Sequence, residues 1–308
     1  MFYSKTMYTI VGKGFGLYGY LPAIILNGSN LILSDEYKSN IQKREDINKF
    51  INFIQWTKSV REAIYLSDDV ILAIPPKEQF KFLLENEKLI FDKTIFLEKP
   101  IACSPKQSAI LLKFLEEKKI KFYVNYSLIY LDWFKKLFYK INSLNSNFNI
   151  KVNWEFKAHF IKTNVINWKS DSQSGGGIIR FYGIHLIAIL TALEYENYKI
   201  IKLKDNTQTI IFKIINVNKP EIEILINIDS NIDKFTIDIY EDSSKNKHTF
   251  LDIKDPFEKQ NNKKLIKLDR RVQNIRDYLI EKNNSIQNLN FNKKVVKLWC
   301  EIEKAFLE

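Results

Sequence analysis

Cysteine and long apolar runs are both scarce in this 308-residue sequence. Its two cysteines, Cys103 and Cys300, lie far apart in unrelated surroundings, so neither a disulfide framework nor a cysteine metal site is expected. No apolar run reaches the roughly 20 residues that span a bilayer, and Met1 to Tyr8 lacks the order of a secretory signal. We therefore expect a cytoplasmic protein with no membrane partner.

Acidic residues are in the minority, with 36 Asp and Glu against 47 Lys and Arg, which gives a net charge of +11. Such a balance can indicate a nucleic-acid or anionic partner. Here the lysines are spread along the chain, and the densest cluster, Lys263 to Arg271, is interrupted by three apolar residues and an aspartate. We expect no nucleic-acid partner.

Glycine is also scarce, and its placement is informative. Five of the nine glycines lie between Gly12 and Gly28, and the other four lie between Gly175 and Gly183. Because glycine costs backbone entropy, a glycine-poor chain should keep it where positive φ or close approach requires it. These two clusters are therefore the candidate sites.

The length and the rhythm of apolar segments predict two domains. Six short apolar strands alternate with helices through residue 124, which predicts an α/β Rossmann domain, a doubly wound parallel sheet, over residues 1–124. Thr57 can cap a helix at Val60 to Leu66. Past Asn125 a long strand-like stretch, Phe148 to Phe160, is followed by grouped strands and two closing helices. Residues 125–308 are predicted to form an α+β domain with a mostly antiparallel open sheet, whose uncovered face favours a homodimer or homotetramer.

A glycine-rich turn, GKGFGL from Gly12 to Leu17, sits between the first strand and the first helix. There, glycines let the backbone approach a dinucleotide pyrophosphate, and the helix N-terminus supplies free N–H groups. The third motif position, usually Gly or Ala, is Leu17. The predicted cofactor residues in this turn are Gly12, Gly14, Phe15 and Gly16. The alternative is a glycine turn without a ligand.

Other candidates lie at strand ends, where a parallel sheet meets its cofactor. Asp35 follows the second strand, where a carboxylate typically receives the adenosine ribose and repels a 2′-phosphate; the alternative is an ordinary turn residue. Ala73 and Pro75 end the fourth strand. The fifth strand ends in Glu98-Lys99-Pro100, and Lys99 can hold the nicotinamide ribose and the reacting oxygen. The alternative for Glu98 and Lys99 is a solvated surface pair.

In order and spacing, these motifs and the run Gly175 to His185 resemble the Gfo/Idh/MocA (glucose–fructose oxidoreductase / inositol dehydrogenase) family. The resemblance covers most of the chain and implies a Rossmann domain and an open-sheet domain. It also implies an NAD cofactor, with NADP as the alternative, and a sugar, inositol or nucleotide-sugar substrate. Lys99 is implied to be a catalytic-site lysine and His185 the acid/base of the second domain.

The sequence departs from that family at three positions. Phe181 stands where an aspartate is common one helical turn before the histidine, Ile129 stands in place of an arginine, and Gln79 or its neighbour stands in place of a histidine. The loss of the aspartate removes the group that would orient His185 or share its proton.

Several residues have both a functional and a structural interpretation. His185 is one of three histidines and lies on an apolar helix, where a packed core residue is the alternative. Trp168 is a candidate for stacking on a sugar ring and Arg180 for an anionic substrate group; packing and surface charge are the alternatives. We interpret His159 as structural and assign His248 no role. No His, Cys, Asp and Glu cluster has metal-ligand spacing.

The sequence thus predicts an enzyme that transfers a hydride between a nicotinamide and a carbinol or carbonyl carbon. His185 would exchange the hydroxyl proton and Lys99 would stabilise charge on oxygen, which requires them to converge from different domains. Two alternatives remain: a non-catalytic dinucleotide- or sugar-sensing protein on the same fold, and an enzyme that uses transient oxidation for a net non-redox reaction.

Overall fold

The computed structural model describes residues 6–241, 246–258, 268–281 and 288–307. Residues 263–267 of the basic cluster and the first five residues lie outside these ranges. The chain divides into two compact units, one of residues 1–127 and 259–290 and the other of residues 128–258 and 291–308. The sequence pattern predicted one boundary after residue 124, whereas the first unit also contains a late segment of the chain.

Twelve strands lie in the described part of the chain. They are β1 Met7–Val11, β2 Asn30–Ser34, β3 Ile54–Thr57, β4 Asp69–Leu72, β5 Thr94–Leu97, β6 Lys121–Val124, β7 Phe148–Lys157, β8 Tyr198–Asp205, β9 Thr209–Asn216, β10 Glu221–Asn227, β11 Asp229–Glu241 and β12 Lys247–Ile253.

The α-helices between them range from single turns to 19 residues. They are α1 Leu21–Leu26, α2 Lys38–Gln42, α3 Glu45–Asn48, α4 Val60–Leu66, α5 Pro76–Glu85, α6 Glu87–Ile90, α7 Pro105–Glu117, α8 Asp132–Asn142, α9 His159–Lys162, α10 Ile184–Ala192, α11 Val272–Glu281 and α12 Leu289–Leu307. Two π-helical turns, Gly16–Tyr20 and Ile178–Gly183, lead directly into α1 and α10.

The first unit is built on a parallel sheet of six strands in the order β3-β2-β1-β4-β5-β6. Its central strands are continuous apolar runs because helices cover both faces, and Ile10 and Val70 are fully buried. This order is that of a doubly wound Rossmann sheet, so the predicted fold is confirmed. Thr57 is not the cap of α4: it ends β3, and the Ser59 side chain accepts the N–H of Glu62 instead.

The late segment of the first unit packs its helix α11 against α1. The Arg276 guanidinium donates to the Asn27 side chain at 2.9 Å and to the Leu26 carbonyl at 3.3 Å. It thereby satisfies acceptors at the end of α1, where carbonyl groups have no helical partner.

The second unit contains a six-stranded sheet in the order β12-β11-β7-β10-β9-β8. Only the pair β7 and β10 is parallel, so the predicted mostly antiparallel sheet is confirmed. Strand β12 was not predicted, because it begins with the polar residues Lys247, His248 and Thr249, which give no apolar alternation. That pattern suits an edge strand with its first residues exposed.

The core of the second unit lies between the sheet and two helices, α8 and α10. Apolar residues of these elements, such as Leu137, Leu190 and Ile224, line a cavity of about 20 Å³. On the other side of the strands, ion pairs connect neighbouring positions: Lys151 to Glu223 at 3.3 Å and Lys213 to Glu221 at 2.5 Å. This side of the sheet therefore carries ion pairs as well as apolar residues, such as Ile211 and Leu225, which lie opposite each other on β9 and β10.

The helical stretch Ser172–Ala192 is long and apolar enough to cross a membrane by composition alone, with a mean hydropathy of 1.4. The expectation that no apolar run reaches that length therefore needs correction. Within its unit, 72% of the 18-residue apolar window in this stretch is buried, and every residue of α10 is in the core. A helix that is apolar all round is expected at this place in a large core.

Candidate functional site

The three glycines of the first turn have different structural roles. Gly12 has φ +129°, and a Cβ atom there would overlap the Ala73 carbonyl oxygen. At Gly16 a Cβ atom would lie 2.7 Å from Ile10 Cγ2. Gly14 is exposed, and a Cβ atom placed on it would meet nothing within 4 Å. The first and last glycines are therefore required by the fold, while the middle one borders open space.

This division of roles is the one a dinucleotide requires: a tight turn, a close approach to the pyrophosphate, and close helix–strand packing. The departure at the third position is explained, because Gly16 supplies the packing contact and the adjacent Leu17 is buried. The 11-residue helical run Gly16–Leu26 begins at this turn, so its free N–H groups and dipole favour an anion here.

The loop after β2 is tied to the same turn. Tyr37 accepts a hydrogen bond at its hydroxyl from the Gly12 N–H at 3.2 Å, and burial raises the pKa of Tyr37. Asp35 is half exposed and pairs with Lys38 at 2.5 Å, while Glu36 pairs with Lys13 at 3.5 Å. Asp35, the residue predicted to accept the ribose hydroxyl, is thus part of a loop that contacts the glycine turn. The loop contains both acidic and basic side chains.

Ala73 and Pro75 lie at the carboxyl end of β4 and are half-buried. Ala73 is the residue against which Gly12 and Gly16 pack. Pro75 precedes α5, and its carbonyl accepts the N–H of Gln79 at 2.8 Å. Ala73 therefore joins the glycine turn to β4, and Pro75 starts the helix that carries Gln79.

Gln79 holds the turn that carries Lys99. Its fully buried side chain donates to the carbonyls of Glu98 and Ile101 at 3.0 and 3.1 Å and accepts the Glu98 N–H at 3.0 Å. Lys99 is half-buried and precedes Pro100 across a cis peptide bond. In sequence, Gln79 stood out only as a departure from the family; the structure shows it as the anchor of this turn.

A second buried contact, which the sequence analysis missed, fixes the Glu98 side chain. The Tyr20 hydroxyl donates to Glu98 Oε1 at 2.6 Å, and the Asn125 amide donates to both Tyr20 and Glu98, at 2.8 and 3.1 Å. Burial, and then the charge of Glu98, raises the pKa of Tyr20, which stays a neutral donor. The first helix and the ends of β5 and β6 are thereby tied together beside Lys99.

At the second glycine cluster, the space beside the glycines is occupied by the chain itself. Gly175 and Gly177 have φ of +88° and +81°, and a Cβ atom on Gly176 would overlap the Trp168 carbonyl oxygen. The Gly176 and Gly177 N–H groups donate to the Asp171 and Lys169 carbonyls, each at 2.8 Å. At Gly176, the chain's own loop therefore occupies the space in which a ligand was expected to approach the backbone.

His185 lies in the first turn of α10 and is only 4% exposed. Its ring packs edge to face against Phe257, with centroids 5.1 Å apart, and against Trp154 at 6.5 Å. Phe181, at the position of the family aspartate, contacts Trp168 at 5.3 Å and Tyr182 at 4.8 Å. Aromatic rings surround the histidine, and its assignment as acid/base stays a prediction.

The two substrate candidates differ in their surroundings. Trp168 is half-buried with its ring against Phe181, so part of its surface remains open. The Arg180 guanidinium forms two hydrogen bonds with Glu303, at 2.6 and 2.8 Å, and a third with the Ser172 carbonyl at 2.7 Å. An anionic substrate would compete with Glu303 for Arg180. These contacts connect α12 to the helical run that follows the glycine cluster.

The remaining histidines lie in exposed positions. His159 begins the short helix α9, and His248 lies on the edge strand β12. Among the residues that the structure describes, no group of three or more His, Cys, Asp or Glu could hold a metal ion.

No family model and no curated protein matches the sequence, but solved structures do resemble the chain. The WlbA dehydrogenase from Bordetella pertussis, in complex with NADH and UDP-GlcNAcA, has a TM-score of 0.73 at 12% identity, covering 100% of this chain and 97% of that one. GenD2 from gentamicin A biosynthesis, in complex with NAD, has a TM-score of 0.71 at 12% identity, covering 100% and 96%.

A super-repressor mutant of Gal80p from Saccharomyces cerevisiae gives a TM-score of 0.71 at 13% identity, covering 98% of this chain and 95% of that one. At such low identity these likenesses establish the fold. The two-sheet architecture expected from the resemblance to the Gfo/Idh/MocA family is therefore confirmed along nearly the whole chain.

The glycine roles give a prediction for Gly14→Val. The space around Gly14 admits a side chain, so melting temperature should not change, whereas the side chain should block a pyrophosphate and weaken NADH binding by about 100-fold or more. Calorimetric titration and thermal denaturation measure both. In the matched variant Gly16→Val the side chain meets Ile10, so that protein should be destabilised; unchanged NADH affinity in folded Gly14→Val would contradict the assignment.

The anchor at Gln79 gives a second prediction. Gln79→Leu leaves buried backbone groups of Glu98 and Ile101 without partners, and we expect a loss of about 2–3 kcal/mol in the free energy of unfolding. Urea titration measures it. The control is Gln107→Leu, which removes one contact to the Cys103 N–H from a half-buried side chain. Equal effects of the two substitutions would refute the special role of Gln79.

Proposed function

We propose that this chain is a nicotinamide-dependent oxidoreductase that transfers a hydride to or from a sugar, inositol or nucleotide-sugar substrate. The observation that carries the proposal is the glycine turn at the carboxyl end of β1. Its outer glycines are fixed by packing, and its middle one, Gly14, faces open space in a Rossmann sheet. A cradle of this kind fits a pyrophosphate.

The residues that would hold the cofactor are those that line this edge of the first unit. They are Gly12, Gly14, Phe15, Gly16, Asp35, Ala73, Pro75, Glu98 and Lys99. A bound nicotinamide would supply the hydride acceptor or donor. The fixed turn at Gln79 and the buried contact of Tyr20 with Glu98 support this assignment, because cofactor positioning needs rigid supports.

The solved structures with this fold also support the proposed binding of a nicotinamide cofactor. WlbA is described as a dehydrogenase in complex with NADH and UDP-GlcNAcA, and GenD2 in complex with NAD. We propose NAD as the cofactor, with NADP as the alternative, and a sugar-like small molecule as the substrate.

Lys99 and His185 are proposed as the catalytic residues. The Lys99 ammonium would donate a hydrogen bond from Nζ to the substrate oxygen and stabilise its developing negative charge. The His185 imidazole would accept the hydroxyl proton during oxidation and return it during reduction. Trp168 is retained as a candidate for stacking on a sugar ring, because part of its side chain is exposed.

A second candidate function is a non-catalytic protein that binds a dinucleotide or a sugar. The enclosure of His185 by Trp154 and Phe257, together with Phe181 in place of an aspartate, favours it. The Gal80p structure, a super-repressor with the same fold, is compatible with it. A cytoplasmic location, a homodimer or homotetramer, and the absence of nucleic-acid and membrane partners are carried forward as proposals.

Cofactor selectivity is predicted to depend on Asp35 and Lys38. NADH should bind more tightly than NADPH because the Asp35 carboxylate repels a 2′-phosphate. Asp35→Asn should reduce that preference by about tenfold and leave Lys38 available to the phosphate. Lys38→Ala should change the preference in the opposite direction. Calorimetry with both cofactors is the measurement, and the same affinity ratio in all three proteins would remove Asp35 from the site.

The catalytic assignment predicts different effects for the two residues. His185→Asn should lower turnover by about 10²–10⁴-fold with little change in NADH affinity, whereas Lys99→Ala should weaken both. The assay follows NADH absorbance with a panel of UDP-sugars, free sugars and inositols. If the wild-type protein binds NADH and a sugar but shows no turnover and no altered product, the binding-protein function is favoured instead. Product formation without net change in NADH would indicate transient oxidation.

A further inference from the structure

Phe15, the residue after Gly14, has an unusual packing arrangement. A Cβ atom on Gly19 would lie 2.5 Å from the Phe15 ring, so the ring lies directly on the helix where Gly19 has no side chain. The ring forms T-shaped contacts with Tyr18 and Tyr20, at centroid distances of 5.4 and 5.7 Å. This contact accounts for a glycine in mid-helix that the dinucleotide motif does not require.

The face of the ring is covered by a residue far away in sequence. The Arg271 guanidinium carbon lies 4.2 Å from the Phe15 centroid and 5.9 Å from that of Tyr18. Asp269 fixes the guanidinium with two parallel contacts, Nε to Oδ1 at 2.9 Å and an Nη to Oδ2 at 2.8 Å. A bidentate pair of this kind sets the orientation of the guanidinium plane as well as its position.

The charge of this pair is stable near neutrality. Burial lowers the pKa of Arg271, but the hydrogen bonds and charge of Asp269 outweigh it, so the pKa lies above its ordinary value. The Asp269 carboxyl has a lowered pKa because Arg271 more than offsets its burial. Arg44 adds a second cation over Tyr18, at 4.7 Å, and is itself paired with Asp46.

We propose that Arg271 is a positioning residue for the dinucleotide turn. Held by Asp269, it clamps the Phe15 ring onto Gly19 and so keeps the backbone of residues 13–16 in the shape that receives a pyrophosphate. The proposal rests on the proposed cofactor site and adds a residue that lies outside the glycine motif. It makes cofactor affinity depend on a segment that returns to the first unit more than 250 residues later in the chain.

A second arginine of the same segment, Arg276, provides the control variant. Arg276 also ties the segment to the first helix, through Asn27 and the Leu26 carbonyl, but at the end away from the glycine turn. A loss caused by poor docking of the segment should therefore follow from Arg276→Ala as well. A loss caused by release of Phe15 should follow from Arg271→Ala alone.

The experiment compares the wild-type protein with Arg271→Ala, Arg271→Lys and Arg276→Ala. Calorimetry should show NADH affinity about tenfold weaker in Arg271→Ala, since loss of the cation–π contact releases the Phe15 ring. Arg271→Lys should recover only part of the affinity, because an ammonium cannot form the bidentate contact. Arg276→Ala should keep NADH affinity within about twofold while its melting temperature falls.

A second readout needs no ligand. Hydrogen exchange of the free protein should be faster at the amides of residues 13–19 in Arg271→Ala and unchanged there in Arg276→Ala. Equal effects of the two variants on this exchange, or no effect of Arg271→Ala, would overturn the proposal. If the wild-type protein binds neither NADH nor NADPH, the proposed function fails, and the exchange comparison still decides whether the clamp exists.

A double-mutant cycle with Phe15→Leu tests the pathway of the effect. If Arg271 acts through the Phe15 ring, the loss of affinity in the double variant should be much smaller than the product of the two single losses. Multiplicative losses would show that Arg271 acts independently of Phe15, which would contradict the positioning role.

Discussion

The close approach of the first helix to the central strands constrains the candidate site. Gly12 and Gly16 lie against Ala73 and Ile10 without room for a side chain. Because the helix begins that close to the sheet, its N-terminus opens at the carboxyl edge of β1, where free N–H groups can meet an anion. Gly14 is then the one glycine of the turn that borders open space, which allows the turn to serve as a binding surface.

The two glycine clusters show how the same scarce residue can serve different purposes. Both lead through a π-helical turn into an apolar α-helix. In the first cluster the space beside Gly14 is open, whereas in the second the loop around Trp168 returns over Gly176 and fills it. In both clusters the absence of a side chain allows another group to approach the backbone closely. Only in the first cluster is the space beside a glycine open to another molecule. The sequence pattern does not distinguish the two cases.

Most of the fold could be predicted because it depends on local patterns. Six short apolar runs that alternate with helical segments marked β1 to β6. The supports of the site could not be predicted. Tyr20 and Asn125 are 105 residues apart, and Arg271 reaches Phe15 from the far end of the chain. Such pairings follow from tertiary packing, and nothing in the local sequence indicates them.

We propose that a nicotinamide dinucleotide binds on the turn from Gly12 to Gly16. The most direct measurement is the change in backbone amide NMR shifts of the wild-type protein on titration with NADH. We expect large, saturable shifts at the amides of Gly14 and Phe15, with smaller shifts at those of Asp35 and Lys99. Saturable binding that leaves the amides of the glycine turn unshifted, or no binding at all, would contradict it.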